Sequence, residues 1–501
     1  MHRNLVTTTV LMLVLAGCSQ ETPTTAPTDR VETRPNVLLI MSDDLNMDLG
    51  AFGHPLVKTP NIDGLAANGV GFSHAYAQYP VCNPSRSSLL TGLYPEQTGV
   101  IRNPDNFRDT VPEVKTLPQL LKENGYWSGR VGKIFHYAVP NHIGTPGADD
   151  PVSWDVAVNP IGVDANLAQE GKTELIGGDR SKVGGSLNWL SLPSDDSEHT
   201  DYKVASEAIR LLEEHHPDKT GKPFFLAAGF YRPHVPSIAP SSYFDLYPLE
   251  RIVLPERRDD DRDDIPVFAL PDRPGQLEMT ELQKKKATQA YYATVSFMDA
   301  QVGRLLNALQ ESGLADETIV IFMSDHGFHL GQHDLWQKQD LFEGSVRAPL
   351  IISVPGSRVT GVQSDALVEY LDLYPTLTEL LEIERPNWLQ GKSLVPLLHG
   401  DAGRHRQDGL SMARSAAQAT RPELDGRRVI GYTLRTDRYR YTEWDEGREG
   451  VELYDYDNDP KEFNNLAGKA EVKQVEEILR NRLAMRRDAA RTAVEINPVG
   501  R

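Results

Sequence analysis

Three apolar runs in the chain end in residues able to do chemistry. Pro35 to Ser42 (PNVLLIMS) is followed by Asp43-Asp44, Ile319 to Ser324 (IVIFMS) by Asp325-His326-Gly327, and Phe224 to Gly229 (FFLAAG) by Phe230-Tyr231-Arg232-Pro233-His234. Asp43, Asp44 and Asp325 are of the type that gathers around one hard cation, which takes oxygen ligands. The same residue type also suits helix caps and turns. A set of cations and imidazoles accompanies them: Arg86, Lys133 and His136 in GKIFH, His234 in RPHVP, and Lys338 in LWQKQDLFE. Singly, a Lys is as readily a solvated surface group and a His a satisfied structural one. Cys82 opens VCNPSRSSLLTG, which reads as a helix with Arg86 one turn further on and Pro84 in the first turn, where a missing N–H is tolerated. Such a helix start offers N–H groups and the positive end of a dipole to an anion.

The elements that position these residues follow from the pattern. Continuous apolar, β-rich runs are strands covered on both faces. Helical stretches at Thr116 to Asn124, Lys203 to His215 and Glu281 to Leu309 lie between them. Strands alternating with helices predict an α/β fold, a sheet with helices on both faces, whose ligands bind beyond the carboxyl ends of the strands. After about Gly400 the texture changes. RVIGYTLRTDRYRYTEW and VELYDYDNDPKEF alternate apolar and polar residues, which predicts a small antiparallel sheet followed by a helix from about Val472 to Thr492. The charge run Glu256 to Pro266 (ERRDDDRDDIP) lacks the Gly and distal Glu of a calcium loop and reads as a solvated surface loop.

At the N-terminus, a short apolar run behind Arg3 reads as a secretory signal. Its end, Leu15-Ala16-Gly17-Cys18, resembles the lipobox of bacterial lipoproteins, which implies lipidation of Cys18; a plain signal peptide that discards Cys18 is the alternative. Residues 19–34 are polar and rich in Thr and Pro, as in a flexible tether. The expected division is thus 1–18 signal, 19–34 tether, 35–400 main domain and 401–501 C-terminal subdomain. The expected location is the bacterial cell envelope, with membrane contact only through the lipid. Ser19 after the cysteine weakly favours the outer membrane. With two cysteines in the chain and Cys18 carrying lipid, Cys82 has no disulfide partner. A formal net charge of −19 argues against nucleic acid, and an anionic substrate would need a locally basic or metal-bearing site.

Cys82-Asn83-Pro84-Ser85-Arg86 resembles the Cys-x-Pro-Ser-Arg signature of type I sulfatases. TPNIDGLAANGVGFSHAYA upstream and ELYDYDNDPKEFNNLA near the C-terminus are similar to further family stretches. Lys133-Ile-Phe-His136, Tyr231 to Pro236 (YRPHVP) and Asp325 to Gly331 (DHGFHLG) resemble the iduronate-2-sulfatase branch. The resemblance implies an alkaline phosphatase/sulfatase-like fold, with a large mixed sheet flanked by helices and a small C-terminal antiparallel-sheet subdomain. It implies that Cys82 is oxidised to formylglycine by a formylglycine-generating enzyme. Asp43, Asp44, Asp325 and His326 would hold Ca2+ together with an oxygen of modified residue 82. Arg86, Lys133 and Lys338 would neutralise sulfate and the aldehyde hydrate, His136 would assist the hydrate, and His234 would contact sulfate or protonate the leaving oxygen. The implied activity is release of sulfate from O-sulfated sugars of an oligo- or polysaccharide. The rival readings are a phosphatase or phosphonate monoester hydrolase of the same superfamily, and a non-catalytic lipoprotein that binds sulfated glycan. Asn141 to Asp155, Arg232 and Arg414 to Arg428 are the candidate specificity segments.

Overall fold

The computed structural model describes residues 1–2, 34–177, 184–401, 403–416, 421–494 and 496. Cys18, the lipobox and all of the predicted tether except Arg34 lie outside the described residues.

The apolar runs fold as the middle of one eight-stranded sheet. Its strands are β1 (Asn36–Asp43), β2 (Val70–Tyr76), β3 (Trp127–Gly132), β4 (Val156–Val158), β5 (Phe224–Pro233), β6 (Thr318–Ser324), β7 (Leu350–Ser353) and β8 (Val362–Glu369). Their spatial order is β8-β2-β7-β6-β1-β5-β3-β4. β1 is central and pairs in parallel with β5 and β6. β7 runs antiparallel to both its neighbours, which makes the sheet mixed.

Alternation along β1 divides the core. Leu38 and Ile40 pack on one face with Val204, Leu211 and Tyr291, from α3 (Thr200–Glu214) and α4 (Glu281–Glu311). Val37, Leu39 and Met41 pack on the other with Leu89, Leu120 and Leu377, from α1 (Cys82–Thr91), α2 (Leu117–Glu123) and α5 (Leu373–Leu380). Burial on both faces is why these strands read as unbroken apolar runs. α4 starts at a capping box in which Thr280 and Gln283 exchange hydrogen bonds, which sets its boundary at Glu281.

The C-terminal stretch forms a four-stranded antiparallel meander: β9 (Gly409–Arg414), β10 (Ile430–Arg435), β11 (Tyr439–Trp444) and β12 (Val451–Asp455). α6 (Lys473–Arg491) lays Leu479 and Leu483 against it. The acidic loop 256–266 is largely exposed, but Asp261 turns inward and meets His333 Nδ1 at 3.1 Å. No helix among the described residues is long and apolar enough to cross a membrane.

Candidate active site

The carboxyl ends of β1, β5 and β6 lie side by side, so the residues that follow them meet at one place. β1 closes on Asp43. Asp44 then adopts a left-handed backbone (φ +66°), a conformation a non-glycine residue keeps only when its surroundings impose it. Here the Asp44 N–H donates to Asp325 Oδ1 at 3.1 Å, and the Asp44 carbonyl accepts from Tyr291 Oη at 2.7 Å. Tyr291 comes from the middle of α4 and stacks on Phe328 at 5.1 Å.

α1 is buried along its whole length, and Cys82 and Arg86 share one face a turn apart. Arg86, with no exposure, ties three strand ends together. Its Nε donates to Asp325 Oδ2 at 2.9 Å, Nη1 to the Ile134 carbonyl at 3.0 Å, and Nη2 to the Ser42 carbonyl at 3.3 Å and Asp43 Oδ1 at 3.5 Å. Lys133 follows β3 and pairs with Asp43 Oδ2. Its close approach depends on two glycines. A Cβ on Gly229 would lie 2.1 Å from the Lys133 carbonyl oxygen, and Gly132 (φ +74°) would put one 2.1 Å from the Gly229 carbonyl. Lys338 pairs with Asp44 Oδ1 and donates to Cys82 Sγ at 3.2 Å.

The imidazoles complete the group. His326 donates from Nδ1 to the Gly327 carbonyl at 2.9 Å, which turns Nε2 toward Asp44 Oδ1 at 3.5 Å and Asp325 Oδ1 at 3.6 Å. His234 Nδ1 donates to the Val235 carbonyl, and its Nε2 faces Asp44 Oδ2 at 3.8 Å. Burial holds the pKa of His326, His234 and His136 below the ordinary histidine value, and for His136 the neighbouring Lys133 adds to the effect. Neutral His326 and His234 therefore present lone pairs toward carboxylate oxygens. Burial pushes Asp43 up, yet the charges of Lys133 and Arg86 hold it well below the usual carboxylate range. Asp44 goes the other way, raised by burial against the pull of Lys338.

Asp44 Oδ2 and His326 Nε2 are buried without a hydrogen-bond partner. Potential ligand atoms of Asp43, Asp44, Cys82 and His234 lie within 4.8 Å of one another, as do those of Cys82, Asp325 and His326. Clustered carboxylate oxygens and an orphaned imidazole nitrogen fit a divalent cation. His136 lies near Lys133, and its Nδ1 is also buried without a partner. The ten residues singled out in the sequence for catalysis and metal binding thus converge here.

Arg232 differs from expectation. It is 2% exposed, pairs with Asp164, and donates to the carbonyls of His234 at 3.1 Å and Pro236 at 2.7 Å. It braces the His234 loop from inside. Residues of the 141–155 segment line a cavity of about 530 Å³ with Arg130, Ala157 and Asn159. Arg414 N–H donates to Tyr79 Oη at 2.7 Å, three residues before Cys82, while 417–420 lie outside the described residues. Sequence reasoning missed Tyr291, Arg273 and Gln337. Their contacts join distant segments and leave no local motif.

With this geometry in place, comparison with known proteins is decisive. Residues 35–383 match the model of the Sulfatase family. The chain belongs to the sulfatase family. Residues 331–489 also match the model for the C-terminal region of N-sulphoglucosamine sulphohydrolase. Among its relatives, this sulfatase is 33% identical to a sulfatase of Formosa agariphila, over 89% of this chain and 86% of that one. It is 32% identical to human iduronate 2-sulfatase, over 91% of this chain and 94% of that one. Among solved structures, the phosphonate monoester hydrolase of Agrobacterium radiobacter superposes with a TM-score of 0.76 at 25% identity, covering 91% of this chain and 96% of that one. A 2-O GAG sulfatase gives 0.70 at 25% identity, covering 93% and 95%. The fold is therefore that of the alkaline phosphatase-like sulfatases, and the protein is an enzyme.

Proposed function

We propose that this sulfatase releases inorganic sulfate from O-sulfated sugars of an oligo- or polysaccharide, using calcium and a formylglycine made from Cys82. The observation that carries this reading is the juxtaposition of Lys338 Nζ, 3.2 Å from Cys82 Sγ, with the unpartnered Asp44 Oδ2 and His326 Nε2. A sugar substrate is supported by human iduronate 2-sulfatase, the 2-O GAG sulfatase and an ulvan-active sulfatase of Formosa agariphila, 28% identical over 93% of this chain.

Asp43, Asp44, Asp325 and His326 would hold the calcium with an oxygen of residue 82. Calcium there supplies Lewis-acid polarisation and offsets the negative charge of the chain. Formylglycine supplies a hydrated aldehyde, with one hydroxyl to attack sulfur and a second whose loss of a proton expels sulfate. Around it the chain's own residues do the rest. Lys338 and Lys133 lie where charge develops on the sulfuryl oxygens and stabilise it. Arg86 keeps the carboxylates in register. His136 receives the proton of the second hydroxyl, and His234, which takes up a proton at Nε2 from solvent as the anionic sulfate group binds, hands it to the leaving sugar oxygen.

Cys18 would carry lipid that anchors the enzyme in the bacterial cell envelope, a reading supported by Leu15-Ala16-Gly17-Cys18 and the polar stretch after it. The formylglycine-generating enzyme is the partner needed for maturation.

The test is a panel of sulfated glycans, a phosphate monoester and a phosphonate monoester. Each is incubated with protein made beside a formylglycine-generating enzyme, with calcium or with a chelator. Calcium-dependent sulfate release from a sugar is expected. Calcium binding without sulfate release from any glycan would overturn the substrate claim, and two zinc ions per chain with phosphate or phosphonate turnover would favour the hydrolase rival.

A further inference from the structure

We propose that Arg273 is a positioning residue, which clamps the turn bearing Lys338 so that its ammonium points at residue 82. The proposal rests on the role given above to Lys338 and adds a residue that no motif marks.

Lys338 does not sit on a long element. It follows Trp336–Gln337, a two-residue strand paired with His329–Leu330. Its neighbours on both sides have left-handed backbones, Gln337 at φ +76° and Gln339 at φ +91°. Residues with a Cβ avoid this region unless surrounding contacts hold them there. A turn strained on both flanks would not keep a long side chain aimed by itself.

The hold on the entry side comes from Arg273. One guanidinium nitrogen, Nη1, donates to Gln337 Oε1 and to the Gly185 carbonyl at 3.4 Å, and Nη2 donates to the Lys338 carbonyl at 3.0 Å. Gln276 Nε2 donates to the same Gln337 Oε1 at 3.0 Å. Gln337 and Gln276 are buried. All three acceptors of Arg273 are amide oxygens, and two of them belong to the Lys338 turn. A planar fork can grip two acceptors at fixed spacing, which a lysine ammonium cannot reproduce. On the exit side, Asp340 accepts from Phe342 N–H at 3.0 Å and Ser345 Oγ at 2.8 Å, and its Oδ1 lies 3.0 Å from His329 Nε2. With the turn held on both sides, the Lys338 side chain ends on Asp44 Oδ1 and Cys82 Sγ.

A double-mutant cycle with the matured enzyme tests this. Arg273→Ala, Lys338→Ala and the double variant are assayed on the substrate found in the glycan panel, after the residue-82 peptide of each has been weighed to show equal maturation. Arg273→Ala is expected to lower kcat roughly 10²-fold with little change in KM, the scale of a displacement of about 1 Å. In the Lys338→Ala background it should cost nothing further, because the two act as one unit. Gln337→Gly keeps the left-handed backbone accessible while deleting the clamped oxygen. It should lower kcat in the wild type and be silent beside Lys338→Ala. If Arg273→Ala does not fold, the Gln337→Gly cycle decides alone. Wild-type kcat in both variants, or losses that multiply with that of Lys338→Ala, would overturn the proposal. A wild-type enzyme that releases no sulfate would instead remove the functional reading on which it rests.

Discussion

Replacing Arg86 with Met should unfold the active site before any question of chemistry arises. The three carboxylates Asp43, Asp44 and Asp325 carry three negative charges, and Arg86, Lys133 and Lys338 supply three positive ones, all but Lys338 without solvent exposure. Arg86→Met leaves Asp325 Oδ2 without its donor, and the carbonyls of Ser42 and Ile134 lose theirs too. Removing one partner of a buried pair costs about 3–5 kcal/mol, because the remaining charge stays buried and uncompensated. Arg86→Lys keeps the charge but cannot span both carboxylates and the carbonyls, so a loss of about 2 kcal/mol follows from the unmet acceptors. Urea unfolding followed by the fluorescence of the six tryptophans, with and without calcium, reads both variants. The expected order of stability is wild type, Arg86→Lys, Arg86→Met. An Arg86→Met protein within about 1 kcal/mol of wild type would refute the claim that this guanidinium binds the strand ends together.

Three further outcomes are expected. Gly229→Ala would force a Cβ to 2.1 Å from the Lys133 carbonyl oxygen and displace Lys133, so kcat should fall about 10²-fold in whatever protein folds; wild-type turnover would contradict this. Burial pushes the Asp372 carboxyl up, but Arg406 and His405 pull it further down, well below the usual range. A carboxyl depressed in the folded state stabilises above its unfolded pKa of about 3.9, and that contribution is lost as pH falls through the folded value. Asp372→Asn should therefore lower stability at pH 7 and flatten its decline below about pH 4; an unchanged acid limb would count against this pair. Arg232→Met breaks the buried pair with Asp164 and should cost about 3–5 kcal/mol while leaving the ranking of sulfated substrates unchanged. A changed ranking would instead make Arg232 a specificity residue.

Much of the site was legible in the sequence because its residues sit at element boundaries. Asp43 and Asp325 each end an apolar, β-rich run that reads as a doubly covered strand, and parallel strands bring their ends together. Cys82 and Arg86 were readable as one helical face. The limits were equally physical. Nothing local shows that β5 continues through Tyr231 and Arg232 to Pro233, where both main-chain N–H groups are held by Asp201 from α3. That continuation turns Arg232 inward, onto Asp164 and the carbonyls of the His234 loop. The left-handed turns at Asp44 and Gln337 are imposed by Tyr291 and Arg273, each distant in sequence. Asp261 reads as one member of a charge run, yet its carboxylate is the one that finds His333. Pairings of this kind depend on which surfaces meet, which composition and periodicity do not encode.

The proposed chemistry depends on what residue 82 becomes. Trypsin cutting after Lys58 and Arg86 yields the peptide Thr59 to Arg86, which contains Cys82 and no other cysteine. Its mass should be taken from protein made beside a formylglycine-generating enzyme. Loss of the sulfur and two hydrogens, gain of one oxygen, and reactivity toward an aldehyde probe are the predicted result. An intact thiol under those conditions would contradict the proposed mechanism.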